Sequence, residues 1–232
     1  RVFAPGIDMQ AKIKSQGKSL TTLESGRPLR AFDIIGFSLL YELNYTNILS
    51  MLDLARIPFL SNQRDDDHPL IIAGGPCTCN PEPVADFFDA MVIGDGERVV
   101  IEMVDSWKIW RKNHLKTKRS LLERWSKIEG VYIPSFFTPF IDDSGKQFLQ
   151  PVYSNYTVVK RSVVPDLDKE DFPQKPIVPF GRPIHDRLRL EVARGCTRGC
   201  RFCQAGKIYS PVRESSPSTL LDQADRSLIL TG

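Results

Sequence analysis

Histidine and cysteine are both scarce in this chain, with three and five in 232 residues. Five cysteines at these spacings do not make the disulfide framework of a small secreted protein. They suit a reducing compartment, which points to the cytoplasm. No apolar run approaches the roughly 18 residues of a membrane span, and no signal peptide is legible at the start, so no membrane partner is expected. Neither sign of charge is in large excess. Lys and Arg number 31 against 28 Asp and Glu, and the resulting +3 does not announce a nucleic-acid partner. Internal repeats and low-complexity tracts are absent. The 41% hydrophobic content is ordinary for a globular chain, and the length holds one large domain or two small ones.

Three of the five cysteines stand together. Cys196, Cys200 and Cys203 are spaced C-x3-C-x2-C, with Phe202 directly before the last. One loop can fold three thiolates around one inorganic cluster, and three thiolates on a four-iron cube leave one iron without a protein ligand. The ferredoxin run C-x2-C-x2-C-x3-C closes every iron instead, and zinc ribbons use two C-x2-C pairs set further apart. Gly195 and Gly199 let the backbone fold tightly beside the cysteines. A structural zinc site, a redox sensor or three unrelated thiols are the alternative readings.

This loop resembles that of the radical S-adenosylmethionine superfamily, whose signature is C-x3-C-x-aromatic-C, at Cys196, Cys200, Phe202 and Cys203. The resemblance implies a [4Fe-4S] cluster held by those three cysteines, with S-adenosylmethionine chelated on the open iron. It implies reductive cleavage of the sulfonium to a 5′-deoxyadenosyl radical, which abstracts hydrogen from a substrate. Phe202 is then expected on the adenine side of S-adenosylmethionine. A one-electron donor such as flavodoxin or ferredoxin is the implied partner. The substrate is not legible, and RNA stays open.

The flanks fit that order. Residues 187–193 alternate polar and apolar at the strand period, and Ser216 with Pro217 reads as an N-cap and first helical position. Leu221, Ala224 and Leu228 then share a helical face. Strand, loop and helix would make the first βα unit of a partial TIM-like barrel. Arg194, Arg198, Arg201, Lys207 and Arg213 concentrate positive charge beside what would be an anionic cluster.

Upstream, the pattern is α/β. Residues 33–40, 70–73 and 90–93 are short buried-strand candidates. Three helical faces accompany them: Tyr45, Ile48, Leu49 and Leu52, a helix that Pro58 ends; Val100, Met103, Val104 and Trp107; and Leu121, Leu122, Trp125 and Ile128. The pattern predicts a doubly wound parallel sheet of Rossmann or flavodoxin type, helices on both faces. Extended segments are expected at 131–133, 148–152 and 157–160, with a turn at 143–145. The domains read as 1–132 for the sheet, 133–183 for a proline-rich linker with some β structure, and 184–232 for the start of the barrel.

Two glycine turns, at Gly74 and Gly75 and at Gly94 and Gly96, follow strand candidates, where open α/β sheets bind ligands. With the order of domains they resemble the cobalamin-binding-type domain that precedes the barrel in many radical S-adenosylmethionine proteins. The stretch 32–42 narrows the likeness to a bacterial branch with that arrangement. Cobalamin is therefore a cofactor to test at those four glycines. Cobalt ligation by a side chain uses D-x-H-x-x-G, and none of His68, His114 and His185 fits it. Cys77 and Cys79 read as small turn cysteines. The basic stretch 107–119, with its interleaved tryptophans, reads as a solvated helix end. The chain starts within an apolar run at Val2 and Phe3 and stops after a single βα unit. It reads as a fragment truncated at both ends, whose activity would need the whole parent.

Overall fold

The computed structural model describes residues 1–112, 117–170, 173 and 188–231. His114, His185, Arg187 and most of the proline-rich segment after residue 170 lie outside the described residues. The chain divides into two compact units, Arg1–Ser162 and Val163–Gly232.

The first unit opens with helix α1 (Ile7–Ser15), which buries no residue and was not legible in the sequence. Strand β1 (Ile34–Ser38), helix α2 (Tyr45–Ala55), strand β2 (Leu70–Gly74) and strand β3 (Ala90–Val92) follow. Helices α3 (Glu97–Arg111) and α4 (Lys118–Trp125) then lead to strand β4 (Val131–Tyr132). The sheet order is β1-β2-β3-β4, parallel through β3, with β4 antiparallel.

Alternation along the strands feeds two cores. Ile71, Ala73, Met91 and Tyr132 join Ile48, Met51 and Leu52 of α2. Leu70, Ala90, Val92 and Val131 join Val99, Met103, Leu121 and Trp125 from α3 and α4. Helices thus cover both faces, as strands apolar on both sides require. Trp125, fully buried, donates its indole N–H to the Met103 carbonyl at 3.0 Å.

Two expectations need correction here. The strand order is sequential, so the reversal that defines a doubly wound sheet does not occur among the described residues. Between β3 and β4 two helices return the chain to the edge it left, so β4 runs antiparallel and the sheet is mixed. On α3 the buried face carries Val99 and Met103, whereas Val100 is 46% exposed. The expected face otherwise holds, with Met103 buried, Trp107 packed against the core and Val104 half-buried; Val99 takes the place of Val100.

Residues 133–162 pack with this unit. Strands β5 (Phe137–Ile141) and β6 (Gln147–Pro151) form an antiparallel hairpin, of which β5 was not anticipated. Its turn is closed by the Asp142 carboxylate, which accepts from the Ser144 and Lys146 amides at 2.9 Å. Residues 157–160 are not a strand; the chain continues to Ser162, which bridges Gly94. Phe136 and Tyr156 are buried in the second core, and Phe136 meets Tyr153 edge-on at 4.7 Å.

The second unit holds strand β7 (Ala193–Arg194), helix α5 (Ala205–Ile208), strand β8 (Arg213–Glu214) and helix α6 (Pro217–Thr231). Residues 188–192 are not strand, and β7 pairs antiparallel with β8. The expected barrel βα unit is therefore not seen. With no parallel neighbour among the described residues, the backbone pairs with the limb that returns after the cysteine loop. The cap of α6 is as anticipated: Ser216 Oγ accepts from the Thr219 amide at 3.2 Å. Leu221 and Leu228 are 67% and 53% exposed. Among the described residues no helix is long and apolar enough to cross a membrane.

Candidate metal centre

Pairing of Ala193 with Glu214 and of Arg194 with Arg213 brings both limbs of the cysteine loop together. Gly195 has φ +92°, and a β-carbon there would lie 2.7 Å from the Tyr209 carbonyl oxygen and 3.1 Å from that of Pro211. Only glycine fits such an approach. Gly206 seats against the Cys196 carbonyl, where a β-carbon would come to 3.0 Å. The buried Arg213 donates to the carbonyls of Val164, Tyr209 and Pro211 at 2.7, 3.2 and 3.1 Å. The sequence presents Arg213 only as one of five cations near the cysteines. Its one local signal is the register opposite Arg194, which only the hairpin reveals.

Beyond this neck the loop is open. Cys196, Cys200 and Cys203 are free thiols and exposed. The Cys203 amide donates to the Cys200 carbonyl at 3.1 Å, and the Arg198 amide to Cys196 Sγ at 3.5 Å. The loop carries all three sulfurs but does not converge them: among the described residues no group of three or more His, Cys, Asp and Glu side chains is arranged as a metal site. Phe202 is 91% exposed. Arg194 is committed to Glu191 through two bonds of 2.7 and 2.8 Å, whereas Arg198 and Arg201 of the loop, and Lys207 in α5, are exposed. Three soft, unpaired thiol donors beside exposed arginines suit an anionic thiolate-ligated cluster.

Gly74 ends β2 and Gly75 follows it, while Gly94 and Gly96 follow β3. Those strands are parallel, so both turns lie at the same edge. Gly75 (φ +107°) would bring a β-carbon to 2.9 Å from the Leu39 carbonyl, and Gly94 (φ +103°) to 2.1 Å from that of Ser162. At these two positions the chain itself occupies the space. Gly74 and Gly96 have nothing nearer than 3.9 Å. Backbone packing thus requires glycine at 75 and 94, whereas Gly74 and Gly96 border open space.

Cys77, beside these turns, is buried, and Cys79 is exposed. Burial and then Glu42 push the Cys77 thiol up, while the Tyr45 side chain opposes them through a hydrogen bond. Burial, together with Cys77 and Glu42, raises the Tyr45 phenol to about 12. Cys77 is therefore a packed thiol. Trp107 and Trp110 are half-buried against the second core, and the Trp110 indole donates to Ser120 Oγ at 3.1 Å. A groove of about 590 Å³ lies elsewhere, lined by Glu123, Lys127, Tyr153, Tyr156 and Lys160 among others, and includes none of the anticipated site residues.

Known proteins resemble this chain in two ways. It is 27% identical over 194 residues to an uncharacterised protein of Methanocaldococcus jannaschii, a match that takes in 82% of this chain and 34% of that protein. The chain thus spans about a third of the length of the curated relative it matches. Residues 1–134 match the family described as Radical SAM proteins, N-terminal. Because that match takes in more than half of the chain, this protein belongs to the radical SAM proteins, and residues 1–134 are their N-terminal domain.

Proposed function

We propose that this chain is part of a radical S-adenosylmethionine enzyme in which Cys196, Cys200 and Cys203 hold a [4Fe-4S] cluster. The observation that carries the reading is the trio of free, exposed thiols on one glycine-closed loop, in a chain whose N-terminal domain is of the radical SAM family. When bound, such a cluster supplies one electron to the sulfonium of S-adenosylmethionine, releasing methionine and a 5′-deoxyadenosyl radical.

The residues of the chain divide the remaining tasks. Gly195 and Gly206 let the backbone close at the base of the loop that carries the cysteines. Arg198 and Arg201 place positive charge beside an anionic cluster and the carboxylate of the sulfonium compound. Phe202, exposed before Cys203, offers its face and backbone to the adenine. A flavodoxin- or ferredoxin-type donor would deliver the electron.

Anaerobic reconstitution with iron and sulfide, reduction with dithionite and addition of S-adenosylmethionine test this reading. The paramagnetic signal of the reduced protein should shift on addition. Tight binding of colourless zinc, with no iron retained, would instead mark the loop as a structural site.

A further inference from the structure

We propose that Arg213 is the positioning residue of the cysteine loop, fixing the backbone from which Cys196 reaches the metal. The inference rests on the reading that Cys196, Cys200 and Cys203 bind metal, and adds to it a residue outside the cysteine spacing.

Arg213 is only 8% exposed, although the sequence around it supplies charge that could serve as well at the surface. A buried guanidinium is costly unless its N–H groups are used. Here they fork to carbonyls from separate parts of the chain, those of Val164, Tyr209 and Pro211. A lysine ammonium is a point charge and cannot span such a set.

Two of those carbonyls, of Tyr209 and Pro211, are the wall against which Gly195 seats. Gly195 immediately precedes Cys196, and the Cys196 carbonyl is in turn covered by Gly206. The peptide that carries the first cysteine is therefore clamped on both sides, and Arg213 holds one jaw. The rest of the loop is looser: Gly199, in the left-handed region, has nothing within 4 Å of where a side chain would begin. Metal binding then closes Cys200 and Cys203 onto a Cys196 that is already in place, which lowers the ordering cost of assembling the site.

Cobalt(II) titration of the full chain under reducing conditions reads this without any catalytic assay, through the sulfur-to-cobalt charge-transfer band. Arg213→Ala should weaken cobalt binding by about 10- to 100-fold, as loss of an outer support of a metal site does. The band should stay where it is in the wild type, since the thiolates are unchanged. Arg213→Lys should recover little of the affinity, whereas free guanidinium added to Arg213→Ala should recover much of it. Failure of guanidinium to restore binding would reduce Arg213 to a general folding residue and overturn the inference. Gly195→Ala presses on the same carbonyls with Arg213 intact, and should weaken cobalt comparably even if Arg213→Ala does not fold. Wild-type affinity in both Arg213→Ala and Gly195→Ala would overturn the positioning role while leaving the metal site standing. Absence of the band in the wild type would overturn the metal reading itself.

Discussion

Arg64 and Asp89 form an ion pair at 3.2 Å with both side chains sealed from water. Asp89 also accepts from the Ile71 amide at 2.7 Å and faces Lys118 Nζ at 2.6 Å, tying the start of β3 to β2 and α4. Arg64 in turn donates to the carbonyls of Pro58, Phe59 and Phe87. Removing one partner of such a pair leaves a buried charge uncompensated. Asp89→Ala should therefore destabilise the first unit by about 3–5 kcal/mol, measured by urea unfolding with tryptophan fluorescence. A loss below about 1 kcal/mol, the range of a surface pair, would show the network to be dispensable.

The glycine turns separate a folding role from a ligand role. Gly94→Ala would place a β-carbon against the Ser162 carbonyl in a left-handed backbone, and should cost about 3 kcal/mol or more. Gly96→Ala, with ordinary φ and its nearest neighbour at 3.9 Å, should change stability by less than about 1 kcal/mol. Equal effects in denaturant melts would contradict the packing account of these turns.

Alkaline stability follows from the phenols. Burial raises Tyr156 to about 12, partly offset by the Ile133 amide; burial first, then Cys77, raises Tyr45 to about 12; Tyr132 is raised further by burial and Glu82. A folded value above the unfolded one, about 10, means the folded state holds its protons longer. The contribution to stability is complete below about pH 10 and is lost as pH rises from about 10 to 12. Three of the six tyrosines should titrate late by phenolate absorbance, and unfolding free energy should fall over that window. Six phenols titrating together near 10 would contradict the burial of Tyr156 and Tyr132.

The sheet was legible because the unbroken apolar runs at 70–73 and 90–93 are what burial on both faces dictates. Helix α4 was legible because Leu121, Leu122 and Trp125 recur on one ridge. The antiparallel direction of β4 was implicit in the two helical faces read between 90–93 and 131–133, yet helices alternating with strands suggested an all-parallel sheet. The proline-rich stretch hid β5, whose residues are mostly exposed and carry little pattern. At the loop, the spacing of Cys196, Cys200 and Cys203 announced the donors, and Gly195 the tight turn. Arg213 read as one more cation because its role is set by carbonyls distant in sequence. The alternation at 187–193 implied a barrel strand; alternation alone cannot supply the parallel neighbour that such a strand needs.

The central claim is that three particular thiols, and not the other two, hold an iron–sulfur cluster. Anaerobic reconstitution of the wild type and the five single Cys→Ala variants, read by the broad absorbance near about 400 nm and by iron per chain, tests it most directly. Wild type, Cys77→Ala and Cys79→Ala should take up the cluster alike, while Cys196→Ala, Cys200→Ala and Cys203→Ala should each lose it. A full cluster in Cys200→Ala, or no iron in the wild type, would contradict the assignment.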